Sequence, residues 1–90
     1  EGVLRLAAVD PLTGAYNKRE LMAMSEREAL RATRYHHPLS ILLLDLDEFR
    51  QLNDMHGTTV GDAVLQTFAD MCAHTLRSVD ILGRWSDKEF

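Results

Sequence analysis

Ile41-Leu42-Leu43-Leu44-Asp45-Leu46-Asp47 is a short, continuous apolar run that ends in acids. Pro38 precedes it and charged residues follow. A run of this length, bounded this way, predicts a buried central strand. On a strand, Asp45 and Asp47 are two apart and emerge on one face. Carboxylates at the end of a buried strand are costly unless solvated, hydrogen-bonded or held by a hard cation such as Mg²⁺. The pair alone leaves those outcomes open. An EF-hand loop is excluded, because Arg50 occupies the place of its obligatory glycine.

Working outward, Val3 to Val9 is apolar and alanine-rich and reads as the end of a helix from an upstream segment. Asp10-Pro11-Leu12-Thr13-Gly14 breaks it. Asn17-Lys18-Arg19-Glu20 has the form of a capping box. Leu21, Met24, Ala29, Ala32 and Tyr35 continue as a helical stripe up to His36-His37-Pro38, where proline forbids continuation. After the central run, a turn of helix covers Phe49 to Met55 and closes at Gly57. Thr58 or Thr59 caps the next helix, whose core stripe is Val60, Val64, Phe68, Met71, Leu76 and Val79. Asp80 to Trp85 reads as a second strand, with a turn at Ser86-Asp87. Two strands make an incomplete sheet, so the pattern predicts the first part of a larger α/β domain, with residues 1–9 as linker and 10–90 as the domain portion.

Composition narrows the function classes. A formal charge of −4 offers no footprint for a nucleic-acid polymer. No apolar run is long enough to span a bilayer. The single cysteine, Cys72, fits a reducing compartment and reads as a small core residue. His36, His37, His56 and His74 share no ligand spacing with the acids.

Asp45-Leu46-Asp47 followed by Phe49-Arg50-Gln51-Leu52-Asn53-Asp54-Met55-His56-Gly57 and Gly61-Asp62-Ala63-Val64-Leu65 closely resembles the GGDEF family, the bacterial diguanylate cyclases. That pattern runs Asp-x-Asp-x-Phe-Lys-x-x-Asn-Asp-x-x-Gly-His-x-x-Gly-Asp-x-x-Leu. Asp10-Pro11-Leu12-Thr13-Gly14-Ala15-Tyr16-Asn17-Lys18-Arg19 is similar to the family's opening motif. The resemblance implies an α/β fold like the nucleotidyl-cyclase and polymerase palm, a central sheet flanked by helices. It implies a cytoplasmic domain, tethered or not to a membrane sensor elsewhere, that works as a homodimer joined through an upstream helix. It implies a reaction in which two GTP molecules become cyclic di-GMP. By that resemblance Asp45 and the Leu46 carbonyl hold Mg²⁺. Asn53 and Asp62 bind the guanine edge, an amide and a carboxylate matching its acceptors and donors. Arg50 contacts phosphate, and Phe49 turns the chain beneath it or packs in the core. Arg77-Ser78-Val79-Asp80 has the form and position of the family's inhibitory product site for cyclic di-GMP, Arg77 and Asp80 being its recognition pair; as a bare tetrapeptide it is equally a surface ion pair.

The signature departs from the family. Gly-Gly-Asp/Glu-Glu-Phe reads here Ser86-Asp87-Lys88-Glu89-Phe90. Two glycines that allow close backbone approach are absent. Lys88 stands where a carboxylate would join Asp45 on the metal, and Thr58 replaces a histidine. Glu89 and Phe90 match. Three readings follow: a degenerate domain that binds cyclic di-GMP or GTP without turnover, a cyclase using Asp45 and Glu89, and a dimerising scaffold that relays a signal. An ammonium repels a divalent cation, and this favours the first.

Overall fold

The computed structural model describes residues 7–90. Asn17 opens the first helix as its capping box predicts: its Oδ1 accepts from the Glu20 N–H at 2.9 Å. Helix α1 runs Lys18–Tyr35 and ends at His36, which takes the left-handed conformation at φ 57°. Helix α2 spans Phe49–His56 and α3 spans Thr58–Thr75. Gly57, at φ 86°, stands between them as C-cap of one and N-cap of the other. A side-chain cap from Thr58 or Thr59 is therefore not used: both lie inside α3.

The strands are shorter than the sequence predicts. Among the described residues, pairing consists of isolated bridges, Val9 with Tyr16, Tyr16 with Gly83, and Asp45 with Glu89. Val9 is thus extended, which corrects the helical reading at its end, while Val3 to Leu6 lie outside the described residues. Ser40 to Leu46 is extended but not a buried central strand. Ile41, Leu42 and Leu43 are 80%, 76% and 62% exposed. Pairing begins only at Leu44, which exchanges both backbone hydrogen bonds with Phe90 at 2.7 and 2.8 Å. The apolar run meets no covering layer among the described residues, so its character does not become burial. Asp80 to Trp85 is likewise paired only around Gly83: Tyr16 N–H donates to Leu82 O and Arg84 N–H to Tyr16 O.

The core is Ala15, Phe49, Leu65, Ala69 and Phe90, with Leu12, Leu46, Leu52, Phe68 and Leu82 against it. Phe68 and Phe90 meet with ring centroids 5.2 Å apart. Helix α3 therefore turns Gly61, Leu65 and Ala69 inward. The predicted stripe sits one position round: Val60, Met71 and Val79 are exposed. Val60, Val64, Phe68 and Met71, with Leu46, line an open apolar groove of about 490 Å³. The reason is the small residue Gly61, which admits Asn53 of α2 and rotates the packed face toward it.

Gly83 lets the paired segment touch α1. A Cβ there would lie 2.5–2.8 Å from Leu21 Cδ2, Cδ1 and Cβ, and the last cannot swing away. We expect Gly83→Ala to destabilise the protein by about 1–3 kcal/mol through overpacking. Leu21→Ala in the same chain should recover part of that loss. Thermal melts of the single and double variants check it, and an unchanged melting temperature in Gly83→Ala would refute the contact's importance.

Candidate functional site

Three short segments converge on the Ser86–Glu89 turn. Trp85 and Ser86 N–H both donate to Glu89 O, at 2.8 and 3.2 Å. Ser86 Oγ donates to Glu89 Oε1 at 2.7 Å. Among the described residues, those with positive φ outside glycine are His36 and Glu48, so Ser86 and Asp87 close this turn without left-handed strain. The missing glycines cost the backbone nothing here; what changes is the side chains presented.

Arg84 holds the turn from behind. Its Nε donates to Ser86 O at 3.1 Å and its Nη2 to Asp87 O at 3.0 Å. Its Nη1 donates to both Asp10 carboxylate oxygens at 3.2 and 3.3 Å. Asp10 also accepts from the N–H and hydroxyl of Thr13, at 3.0 and 2.8 Å. Burial pushes the Asp10 carboxyl up, but the Thr13 bonds and the Arg84 charge together outweigh it and hold the group below its ordinary 3.8. Lys18 Nζ lies over the Trp85 ring at 4.3 Å, a second tie between the opening motif and the turn.

The turn faces a cleft of about 430 Å³ lined by Phe49, Arg50, Asn53, Asp54, Asp87 and Lys88. Of the residues singled out in the sequence, Phe49, Arg50, Asn53 and Lys88 are brought together there. Phe49 is 5% exposed, so it is core and cleft floor at once. Asp62 is exposed on the first turns of α3 and is not on this lining. Arg77 and Asp80 lie past the C-terminus of α3, outside the cleft lining. Arg77 Nε and Nη2 donate to the two Asp80 oxygens at 3.3 and 3.2 Å, and Arg77 N–H donates to Asp80 at 2.9 Å. The bond from Arg77 holds the Asp80 carboxyl below its ordinary range. The Arg77 side chain is 80% exposed, so the pair lies at the surface.

Asn53 Oδ1 is buried with no hydrogen-bond partner among the described residues. It packs on Gly61, where a Cβ would lie 1.7 Å away. A buried polar oxygen left in this state costs about 1–3 kcal/mol. This oxygen faces α3 at Gly61, and the rest of the Asn53 side chain lies on the cleft lining.

The donor set does not fit a divalent cation. Asp45 and Glu89 face each other across a bridge without direct hydrogen bonds between them, so their side chains share one face. Lys88 Nζ stands 4.0 Å from Asp45 Oδ1, and Glu89 is already bonded to Ser86. No cluster of three or more His, Cys, Asp or Glu side chains able to hold a metal occurs among the described residues. Leu46 is tied through its N–H to Lys88 O at 3.0 Å, and its side chain packs against the core. The sequence did not signal three contributors: Asp54 on the cleft wall, Gly61 beneath Asn53, and the Asp10–Arg84 pair. Asp54 and Asp10 fall within the motifs quoted above without a role being read for them, and Gly61 stood out as a glycine inside a helical pattern.

Residues 7–90 match the family described as diguanylate cyclase, GGDEF domain. The response regulator PleD of Caulobacter vibrioides is 39% identical over 87 residues, covering 97% of this chain and 19% of PleD. Diguanylate cyclase DosC of Escherichia coli is 35% identical over 82 residues, covering 91% of this chain and 18% of DosC. The fold superposes on the GGDEF domain of DgcB from Caulobacter crescentus, solved in complex with c-di-GMP, with TM-score 0.84 at 24% identity. That match covers 100% of this chain and 51% of the other. A microbial GGDEF domain reported in a novel interaction mode with bis-(3,5)-cyclic di-GMP matches with TM-score 0.85 at 32% identity, covering 92% of this chain and 53% of the other. This chain belongs to the GGDEF family of diguanylate cyclase domains. It spans about a fifth of the curated relatives' length and half of the solved domains. Its fold class is the α/β cyclase fold inferred from the sequence, in part.

The Asp10 pair has a pH signature. A carboxyl whose folded value is depressed contributes stability that is present above its unfolded value of 3.8 and is lost as pH falls through the folded value. We expect Asp10→Asn to lower stability at neutral pH by about 2 kcal/mol, the scale of a lost charged hydrogen-bond set. The deficit should shrink below pH 3.8, where the wild type loses the same charge. Denaturant titrations at pH 7 and in that acid window measure both. A deficit that does not depend on pH would assign the pair no electrostatic role.

Proposed function

We propose that this domain is a regulatory module of cyclic di-GMP signalling that binds guanine nucleotide and does not cyclise it. The observation that carries the reading is the Lys88 ammonium 4.0 Å from the Asp45 carboxylate. Cyclisation by this family resemblance asks for a metal between two carboxylates. A lysine in the place of one supplies charge without coordination geometry. The cleft retains Phe49, Arg50 and an unpartnered Asn53 amide, the parts that a nucleotide needs. Asp62 joins Asn53 on the guanine only if the base reaches beyond the cleft lining. We expect the intact protein, given GTP and Mg²⁺, to form no cyclic di-GMP above background. Product that vanishes in Asp45→Ala would sink this reading and restore the enzyme, with Asp45, the Leu46 carbonyl and Glu89 as its metal set.

A specific geometry also favours cyclic di-GMP as a ligand. Asp80 accepts from Nε and Nη2 of Arg77, and the guanidinium stays mostly exposed to solvent. Such a fork suits guanine O6 and N7 or a phosphate, and an adjacent carboxylate accepts from guanine N–H groups. Calorimetry should register cyclic di-GMP binding that weakens at least about tenfold in Arg77→Ala, the loss of one charged hydrogen-bonding partner. Equal affinity in both proteins would remove Arg77 and Asp80 from the site. No binding by either would favour a homodimeric scaffold that relays a signal from an upstream sensor.

A further inference from the structure

We infer that the cleft binds the phosphates of a nucleoside triphosphate without a divalent cation, Lys88 serving as the built-in counter-charge. The inference rests on the nucleotide-binding reading above and adds to it the charge carrier. Lys88 Nζ stands against Asp45 at 4.0 Å and makes no hydrogen bond within the described residues. An ammonium has three donors. Asp45 stands beside it, and the donors remain available to a phosphate. Arg50 lines the same cleft and adds a second cation. These two positive groups face Asp54 and Asp87 on the lining. Lys88 and Arg50 are the two cations on this lining.

The geometry also explains why a metal adds nothing. A Mg²⁺ ion bridging Asp45 to phosphate would stand beside the Lys88 ammonium, and like charges at this separation repel. Mg²⁺ further demands near-octahedral oxygen ligands and gives up water reluctantly. Asp45 and Glu89 are already engaged by Lys88 and Ser86. Lys88 offers the phosphate one positive charge at no dehydration of a metal.

The test is equilibrium binding of a fluorescent GTP analogue to the intact protein, in excess EDTA and in excess Mg²⁺. Wild-type affinity should agree within about twofold between the two. Lys88→Ala should weaken binding in EDTA by about tenfold or more, the scale of a lost charged hydrogen bond. Lys88→Glu should abolish binding in EDTA and make what remains depend on Mg²⁺. Arg31→Glu makes the same change of net charge on exposed α1 and should leave binding as it is. Lys88 is half-exposed, so its variants keep the fold, which circular dichroism verifies. Wild-type binding that EDTA abolishes overturns this inference and leaves nucleotide binding standing. Unchanged affinity in Lys88→Ala overturns it equally. Absence of binding in both conditions overturns the inference together with the reading of the cleft.

Discussion

The guanidinium of Arg84 is the constraint on which the rest of the structure depends. It is largely buried, and it bonds to Asp10 on one side and to two carbonyls of the signature turn on the other. Those carbonyls have no helix or strand of their own to satisfy them, so the turn's shape follows from one side chain. Asp10 in turn organises the loop to Gly14 through Thr13 and through the bond from Gly14 N–H to Asp10 O. Tyr16, carried next to it, pairs with the segment that bears Arg84. The opening motif and the signature are thus one folded unit, though 74 positions separate the two charged residues. Burial makes this pair costly to break, since either partner alone would be an uncompensated charge.

Around that frame the signature is anchored by packing while its side chains differ from the family pattern. Phe90 packs on Phe68 and stays 5% exposed, which anchors the end of the signature in the core. Ser86 and Asp87 close the turn without strain. What changes is the sign of one charge beside Asp45. The Lys88 ammonium lies 4.0 Å from Asp45, at the position where the family pattern has a carboxylate. Fold and family membership survive, while the electrostatics of the cleft follow the local residues.

The helices were legible in the sequence because their signals are local. Asn17 capping Glu20, Gly57 at positive φ and the prolines act over three or four residues. The motif Asp45 to Leu65 is equally local in its spacing, so the resemblance and the candidate residues Phe49, Arg50 and Asn53 could be read directly. The strands were not. Ile41 to Leu43 carry the apolar character of a central strand, yet only partners supplied from elsewhere in a fold could bury them. The α3 stripe was displaced for a related reason: periodicity gives a face, and Gly61 under Asn53 decided which neighbour that face met.

By itself the sequence determined the helices, the family pattern and a lysine at position 88 where that pattern has a carboxylate, since each is a matter of residue identity or short-range backbone chemistry. Only the tertiary structure decided that Lys88 comes to Asp45, that Asn53 packs against Gly61, and that Asp62 stands off the cleft lining. It also decided that Arg84 reaches back to Asp10. These are contacts between segments far apart in the chain. Their partners are chosen by packing volume and by the need to satisfy buried charge, and neither quantity is written in the spacing of residues along a strand or helix.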